Sequence, residues 1–310
     1  MKNIPCILCG KNKADTVKRL RDMHMYIDRS TFTLVRCRQC GLMYLNPQPT
    51  IEELARYYPP HYSAYCNEVS VFGQNYFYNV LRHIKRFFTS HRSIKVFTKL
   101  HNDNSSKTVL DFGCGNGTYL LGLRHNHPSW KLYGSDIQIN ETVKNALEKN
   151  TIVTIIGPTH LPWKQLPTKS FDRITLFQVL EHVNNPREVL ENLRPLLKKD
   201  GELHIEVPNI ATLKFKIFGR YFSNLDAPRH LYHFSPNTLQ RLCEQCGFRI
   251  TKLEVSGTTK STVRSLYNLF HIHNRQLDPL LYSLVDILTK YIGKNRLNTE
   301  ALEVRCVPAK

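Results

Sequence analysis

Residues 111–117 read Asp-Phe-Gly-Cys-Gly-Asn-Gly, with the apolar pair Val109-Leu110 before them and Thr118-Tyr119-Leu120-Leu121 after them. A strand, a turn with glycine at every second position and a helix, in that order, build the ligand crevice of an open α/β sheet, because only glycine lets the backbone approach a ligand that closely. Segments 108–113, 131–137, 151–156, 171–178, 202–207, 248–256 and 301–307 read as strands. Segments 117–126 and 140–149, one opening at Pro186 and closing before Asp200-Gly201, and one from Ser235-Pro236 to Gly247 read as helices. Alternation of this kind predicts a largely parallel sheet covered by helices on both faces.

Two kinds of cofactor use such a turn, and they differ in charge. A dinucleotide presents an anionic pyrophosphate to a G-x-G-x-x-G turn at a helix N-terminus, and here the third glycine of that pattern is replaced by Thr118. S-adenosylmethionine has no phosphate and carries a sulfonium and an ammonium, so the acid at the strand end, Asp111, suits it electrostatically. Gly113, Gly115 and Gly117 then form the turn, and Asp136-Ile137 closes the next strand, placing a carboxylate to accept hydrogen bonds from both ribose hydroxyls. Asp136 fits either cofactor; the sign of charge favours S-adenosylmethionine.

The chain has nine cysteines, and four of them pair by spacing. Cys6-x-x-Cys9 and Cys37-x-x-Cys40 are two knuckles separated by 27 residues, each followed at once by glycine. Four thiolates so arranged match a closed tetrahedral structural zinc site, a ribbon with no open coordination position for chemistry. The alternating residues 31–36 read as a strand leading into the second knuckle. Cys243-x-x-Cys246 lies in an amphipathic helix with no matching pair and reads as packing, while Cys66, Cys114 and Cys306 stand alone.

Together these features resemble the class I S-adenosylmethionine-dependent methyltransferases, and within them the group in which a cysteine-rich module precedes the catalytic domain. The resemblance runs through Arg36-Cys-Arg-Gln-Cys-Gly-Leu-Met-Tyr-Leu-Asn-Pro47, the Asp111 turn, Phe171-Asp-Arg-Ile-Thr-Leu-Phe-Gln-Val-Leu-Glu-His-Val183 and Pro228-Arg-His-Leu-Tyr-His-Phe-Ser-Pro236. It implies a Rossmann-like seven-stranded sheet with an antiparallel last strand, a small N-terminal zinc ribbon and helical insertions. The expected organisation is a zinc ribbon over 1–50, a helical linker or cap over 51–105, and a methyltransferase domain over 106–310 with an insertion near 259–293. The resemblance places Phe177 and Gln178 beside the methionine part of the cofactor, and Leu161 reads as an adenine contact. Proton-handling candidates are His182 with Glu181 at the fourth strand end, and His230 and His233 in a loop that covers the acceptor in related folds. One of those two loop histidines reads as structural, without the sequence saying which. Arg229 is expected either to meet an anionic acceptor or to order the loop through Asp226. Ubiquinone-type O-methyltransferases resemble this stretch with Glu-x-x-Glu-His and bind a divalent ion there; Gln178 replaces the first acid here, which argues against that ion.

Lysine and arginine number 43 against 25 acids, a formal net charge of +18, which implies attraction to an acidic partner: nucleic acid, a nucleotide-linked sugar or an anionic membrane surface. The fourth strand end lacks the Asn/Asp-Pro-Pro-Tyr/Phe signature of exocyclic-amine methylation and the cysteine of cytosine C5 methylation, so nucleic acid ranks second as acceptor. The leading expectation is an O- or C-directed enzyme acting on a small biosynthetic acceptor, a sugar, quinone-like or lipid-linked compound. The alternatives are an RNA-directed methyltransferase using the ribbon and basic surface, or a cofactor-binding protein without turnover. Residues 71–101 interleave six cations with aromatics and no acid, and read with 259–293 as helices that cap the active site or touch an anionic lipid surface. No apolar run approaches the roughly 18 residues of a membrane span, and the N-terminus offers no signal-peptide apolar region. The expected location is cytoplasmic, with contact at the inner membrane surface as an option.

Overall fold

The computed structural model describes residues 1–59, 106–157, 162–257, 260–272, 284–285, 287 and 299–309. Within them the chain forms two sheets and groups into two compact units, one of Met1–Pro59, Phe177–Arg194 and His204–Lys310, the other of Pro60–Leu176 and Pro195–Leu203. Leu161, the basic stretch 71–101 and most of 259–293 lie outside the described residues. No helix of the described residues is long and apolar enough to cross a membrane.

The N-terminal sheet is antiparallel, in the order β1 (Ala14–Leu20), β2 (Phe32–Cys37), β3 (Met43–Leu45) and β9 (Tyr232–His233). Its fourth strand comes from the far end of the chain: Met43 pairs with His233 and Tyr44 with Tyr232, whose rings stack 6.5 Å apart. Phe32, Leu34, Tyr44, Leu45 and Tyr57 bury completely or nearly so beneath it. The short α1 (Ile51–Ala55) starts in a full capping box, Thr50 with Glu53, as Thr-x-x-Glu requires.

The larger sheet has seven strands: β10 (Phe248–Ser256), β11 (Ala301–Pro308), β8 (Leu197–Pro208), β7 (Phe171–Phe177), β4 (Thr108–Phe112), β5 (Lys131–Asp136) and β6 (Val153–Ile156), in that order across the sheet. β4 runs parallel to β5 and β7, and β5 parallel to β6, while β11 is antiparallel to β10. This is the Rossmann-like methyltransferase sheet the resemblance implies. Asp111 and Asp136 lie at or next to the ends of neighbouring strands, where ligands of such sheets bind.

One strand boundary differs from expectation. The helix α4 (Pro186–Leu193) opens at Pro186 and closes before Asp200 as read, but β8 begins at Leu197, five residues before the strand expected from 202. Arg194 keeps helical geometry (φ -56°, ψ -47°), and the chain tightens into a 3-10 turn over Arg194–Leu196, where Pro195 has no amide to donate to the α-helical ladder. In the second unit α2 (Thr118–Asn126) and α3 (Glu141–Lys149) pack Leu120, Leu123, Val143 and Leu147 against Val109 and Leu132. Each such side chain contributes about 1.5–3 kcal/mol relative to exposure.

Gly117 caps α2 with φ +68°, and a Cβ there would stand 2.8 Å from Leu147 Cδ2. Gly117→Ala should therefore cost about 1–2 kcal/mol for the left-handed backbone alone, plus displacement of Leu147. Urea unfolding of the variant measures it, and an unchanged midpoint would show that the turn is looser than its geometry.

Candidate functional site

In the second unit, the turn after β4 bends back on the neighbouring strand. Gly113 and Cys114 both donate their amides to Ser135 O, at 2.7 and 3.0 Å, and Gly115 donates to Asp136 Oδ2 at 2.7 Å. Gly113, Gly115 and Gly117 all have positive φ, which explains the glycine at every second position. Asp111 is buried, and its Oδ1 accepts a 2.7 Å hydrogen bond from Thr175 Oγ1 on β7. Burial pushes the Asp111 carboxyl up to about 7, with the Thr175 hydrogen bond opposing the shift and the charge of Asp136 adding to it. Burial also raises Asp136, against the lowering effect of the Gly115 amide. A buried and a half-buried acid at the ends of neighbouring strands favour a cationic ligand over a pyrophosphate. Ile137 beside them is 55% exposed.

In the first unit, β7 ends at Phe177, whose ring meets His204 edge-on at 5.0 Å. Gln178 takes φ +57° and donates from Nε2 to Glu206 Oε1 at 3.0 Å. Glu181 is fully buried, and its backbone oxygen accepts from Leu231 N (2.8 Å) and Tyr232 N (3.2 Å), which ties the histidine loop to the strand end. Burial pushes the Glu181 carboxyl up to about 8, its own backbone amide opposing and the charges of Glu206 and Asp226 adding. His182 is half-buried, with Nδ1 2.9 Å from Tyr58 Oη and 3.1 Å from Arg229 O. Its surroundings push it down to about 3 through burial first and the neighbouring His230 second. His182 is thus neutral at pH 7, and the near-neutral titration expected of an unperturbed imidazole is lost to desolvation.

The structure separates the two loop histidines. His230 packs against the His182 ring with centroids 4.6 Å apart, whereas His233 lies in β9, 3% exposed and paired through its backbone with Met43. Arg229 is fully buried and cannot meet an acceptor. It bonds both oxygens of Asp226, Asp22 Oδ1 at 2.6 Å and Tyr57 O at 3.2 Å, so it orders the loop. Tyr58 and Asp22 carry no motif that marks them; their partners lie 124 and 207 residues away in the chain.

At the N-terminal sheet, the four sulfurs of Cys6, Cys9, Cys37 and Cys40 lie within 4.8 Å of one another, with Cys6–Cys40 at 3.4 Å and Cys9–Cys37 at 3.5 Å. Gly10 N and Gly41 N close the knuckles onto Cys6 O and Cys37 O, at φ +72° and +77°. Tetrahedral zinc with bonds of about 2.3 Å separates its sulfurs by about 3.8 Å, so the donor set fits the metal in chemistry and in size.

The sheet order, the glycine turn and the paired acids define a class I S-adenosylmethionine-dependent methyltransferase. The chain belongs to the methyltransferase domain family, which matches residues 72–253. It is 29% identical over 171 residues to the tRNA U34 carboxymethyltransferase of Campylobacter jejuni subsp. jejuni, covering 52% of this chain and 55% of that protein. A shorter match, 33% over 92 residues, covers 28% of this chain and 39% of the ubiquinone biosynthesis O-methyltransferase of Glaesserella parasuis. The chain thus spans about half the length, or less, of these relatives. The fold is shared with a chain of the complex between the Haloferax volcanii Trm112 methyltransferase activator and a methyltransferase, at TM-score 0.51 and 14% identity over 74% of this chain and 94% of that one.

These relatives overturn the expectation of a small biosynthetic acceptor, since the longer of the two matches, over 171 residues, is to an enzyme named for tRNA. The second rank of nucleic acid in the sequence reading rests on two missing signatures, and those signatures mark amine and cytosine C5 chemistry only. Their absence says nothing about other atoms of a nucleic acid.

Proposed function

We propose that the protein transfers a methyl group from S-adenosylmethionine to RNA, with tRNA the first substrate to test. The observation that carries this reading is the similarity over 171 residues to enzymes named tRNA U34 carboxymethyltransferase. A net charge of +18 favours a polyphosphate partner, and a groove beside the first knuckle is lined by Lys11, Arg187 and Arg241. In this reading Asp111, Gly113, Gly115, Gly117, Asp136 and Ile137 hold the cofactor; for Phe177 and Gln178 that role rests on the resemblance. Acceptor activation falls to Glu181, His182 and His230, and His233 holds β9 in place. Cys6, Cys9, Cys37 and Cys40 hold a structural zinc.

Incubation with methyl-labelled cofactor and fractionated lysate tests the acceptor. Label is expected in the tRNA fraction and in a single nucleoside after digestion. Label confined to the polar or lipid pools, with none in RNA, would overturn the reading.

The cofactor site has its own pH signature. A cationic ligand binds the ionised form of Asp111, so affinity should be greatest above pH 7 and fall about tenfold per unit below it. Calorimetry between pH 5.5 and 8.5 measures the slope. Asp111→Asn should both weaken binding and flatten the profile; a wild-type profile already flat would remove Asp111 from the cofactor's charged partners.

A further inference from the structure

We propose that Glu181, His182 and His230 form a second metal site, for a divalent first-row transition ion held by two imidazoles and one carboxylate. Their donor atoms lie within 4.8 Å of one another, and Glu181 Oε1 is 4.0 Å from His230 Nε2. Bonds of about 2.1 Å let one ion span donors up to about 4.2 Å apart, so the Glu181–His230 gap is bridged in place and the widest separation needs only a small side-chain rotation.

Three observations point to a ligand. The Glu181 side chain is completely buried, and among the described residues neither of its oxygens has a hydrogen-bond donor. Buried carboxylates are otherwise paired or bound to cations. Both imidazoles are turned by backbone carbonyls, His230 Nδ1 by Asn224 O at 2.8 Å and His182 Nδ1 by Arg229 O at 3.1 Å. A carbonyl only accepts, so the tautomer that satisfies both carbonyls has the hydrogen on Nδ1 and the lone pair on Nε2 of each ring, with Tyr58 Oη, 2.9 Å from His182 Nδ1, accepting beside Arg229 O; this is the outer-shell arrangement that orients metal-bound histidines. Finally, Glu181 O accepts the Leu231 and Tyr232 amides, which fixes the loop carrying His230 to the strand end carrying Glu181 and His182.

The donor set differs from the one the sequence made relevant. Gln178 stands where the related motif has its acid and is engaged with Glu206. The third donor instead comes from a loop 48 residues after His182, and Asp226 Oδ2, 3.9 Å from His230 Nε2, adds negative charge. Two imidazoles select a first-row transition ion over magnesium or calcium. Three protein ligands leave positions open, and half-buried His182 supplies the approach from solvent. An ion there would act as a Lewis acid, lowering the pKa of a bound hydroxyl or water.

Cobalt(II) titration of the full chain after metal removal and refolding tests the site without reference to the acceptor. Wild type is expected to take two equivalents, one with thiolate-to-cobalt charge transfer from the cysteines and one without it. Glu181→Gln, His182→Gln and His230→Gln should each weaken the second equivalent at least tenfold and leave the first unchanged, while His233→Gln should keep both. Circular dichroism confirms the fold of each variant, and half-buried His182 provides the replacement with least disturbance of the core. Binding of one thiolate-type equivalent only, or a second equivalent unaffected by all three replacements, would overturn the proposal.

Discussion

On the proposed zinc ligation by Cys6, Cys9, Cys37 and Cys40, chelation or replacement of Cys37 with serine is expected to unfold the N-terminal sheet. Apparent binding energies for structural zinc are about 10–16 kcal/mol, comparable with the whole stability of a domain, about 5–15 kcal/mol. Two of its four strands are short, β3 of three residues and β9 of two, so their pairing adds little to the buried Phe32, Leu34, Tyr44, Leu45 and Tyr57. The knuckle backbones, which pair Cys6 with Lys11 and Cys37 with Leu42, are turned around the sulfurs. Because β9 belongs to this sheet and carries His233, the loss should spread to the loop of Arg229 and His230. Metal analysis of Cys37→Ser should find the zinc gone, and circular dichroism should find strand signal lost. Metal-free protein that melts at the temperature of the loaded form would refute a structural role.

Arg229→Met should cost about 3–5 kcal/mol, because it leaves two buried carboxylates without their cation. Burial alone would push the Asp22 carboxyl up, but the Arg229 hydrogen bond and charge outweigh it and hold the group below its usual range. Asp226 is likewise held well below that range, Arg229 and His24 overcoming the effect of burial. The sign of the pH dependence follows. In wild type these depressed carboxyls contribute fully above their unfolded value of 3.8 and lose that contribution only as pH falls below it. In the variant Asp22 keeps the backbone amides of His24, Met25 and Ile27 and Asp226 keeps His24, but both lose the guanidinium that offsets burial, so the deficit should shrink between pH 7 and pH 5 as they take up protons. Adding Asp22→Asn and Asp226→Asn should recover part of the loss at pH 7, a coupling that urea unfolding of the four proteins resolves. A single-variant loss under about 1 kcal/mol would mean that the cluster is solvated.

The amino-acid sequence alone determined the features whose physics is local. The turn Gly113–Gly117 needs positive φ at successive glycines, and the pattern shows it directly. Cys-x-x-Cys-Gly closes on itself through one amide, so each knuckle is legible from five residues. Strand periodicity placed six of the seven large-sheet strands within about two residues, and failed mainly at β8, which starts at Leu197 directly after the 3-10 turn Arg194–Leu196. The acceptor was misjudged for a different reason: net charge fixes only the sign of a partner, and a missing motif excludes only its own chemistry.

What the sequence left open was settled by contacts between residues far apart in the chain. That His230 joins Glu181 and His182 while His233 serves as a strand, that Arg229 is sealed between Asp22 and Asp226, and that Tyr58 reaches His182 all depend on the path of the backbone. Burial then reset their chemistry, lowering His182 to about 3 and raising Glu181 to about 8. The identity of a side chain sets its ordinary protonation; the water removed from around it is decided only when distant segments close over it.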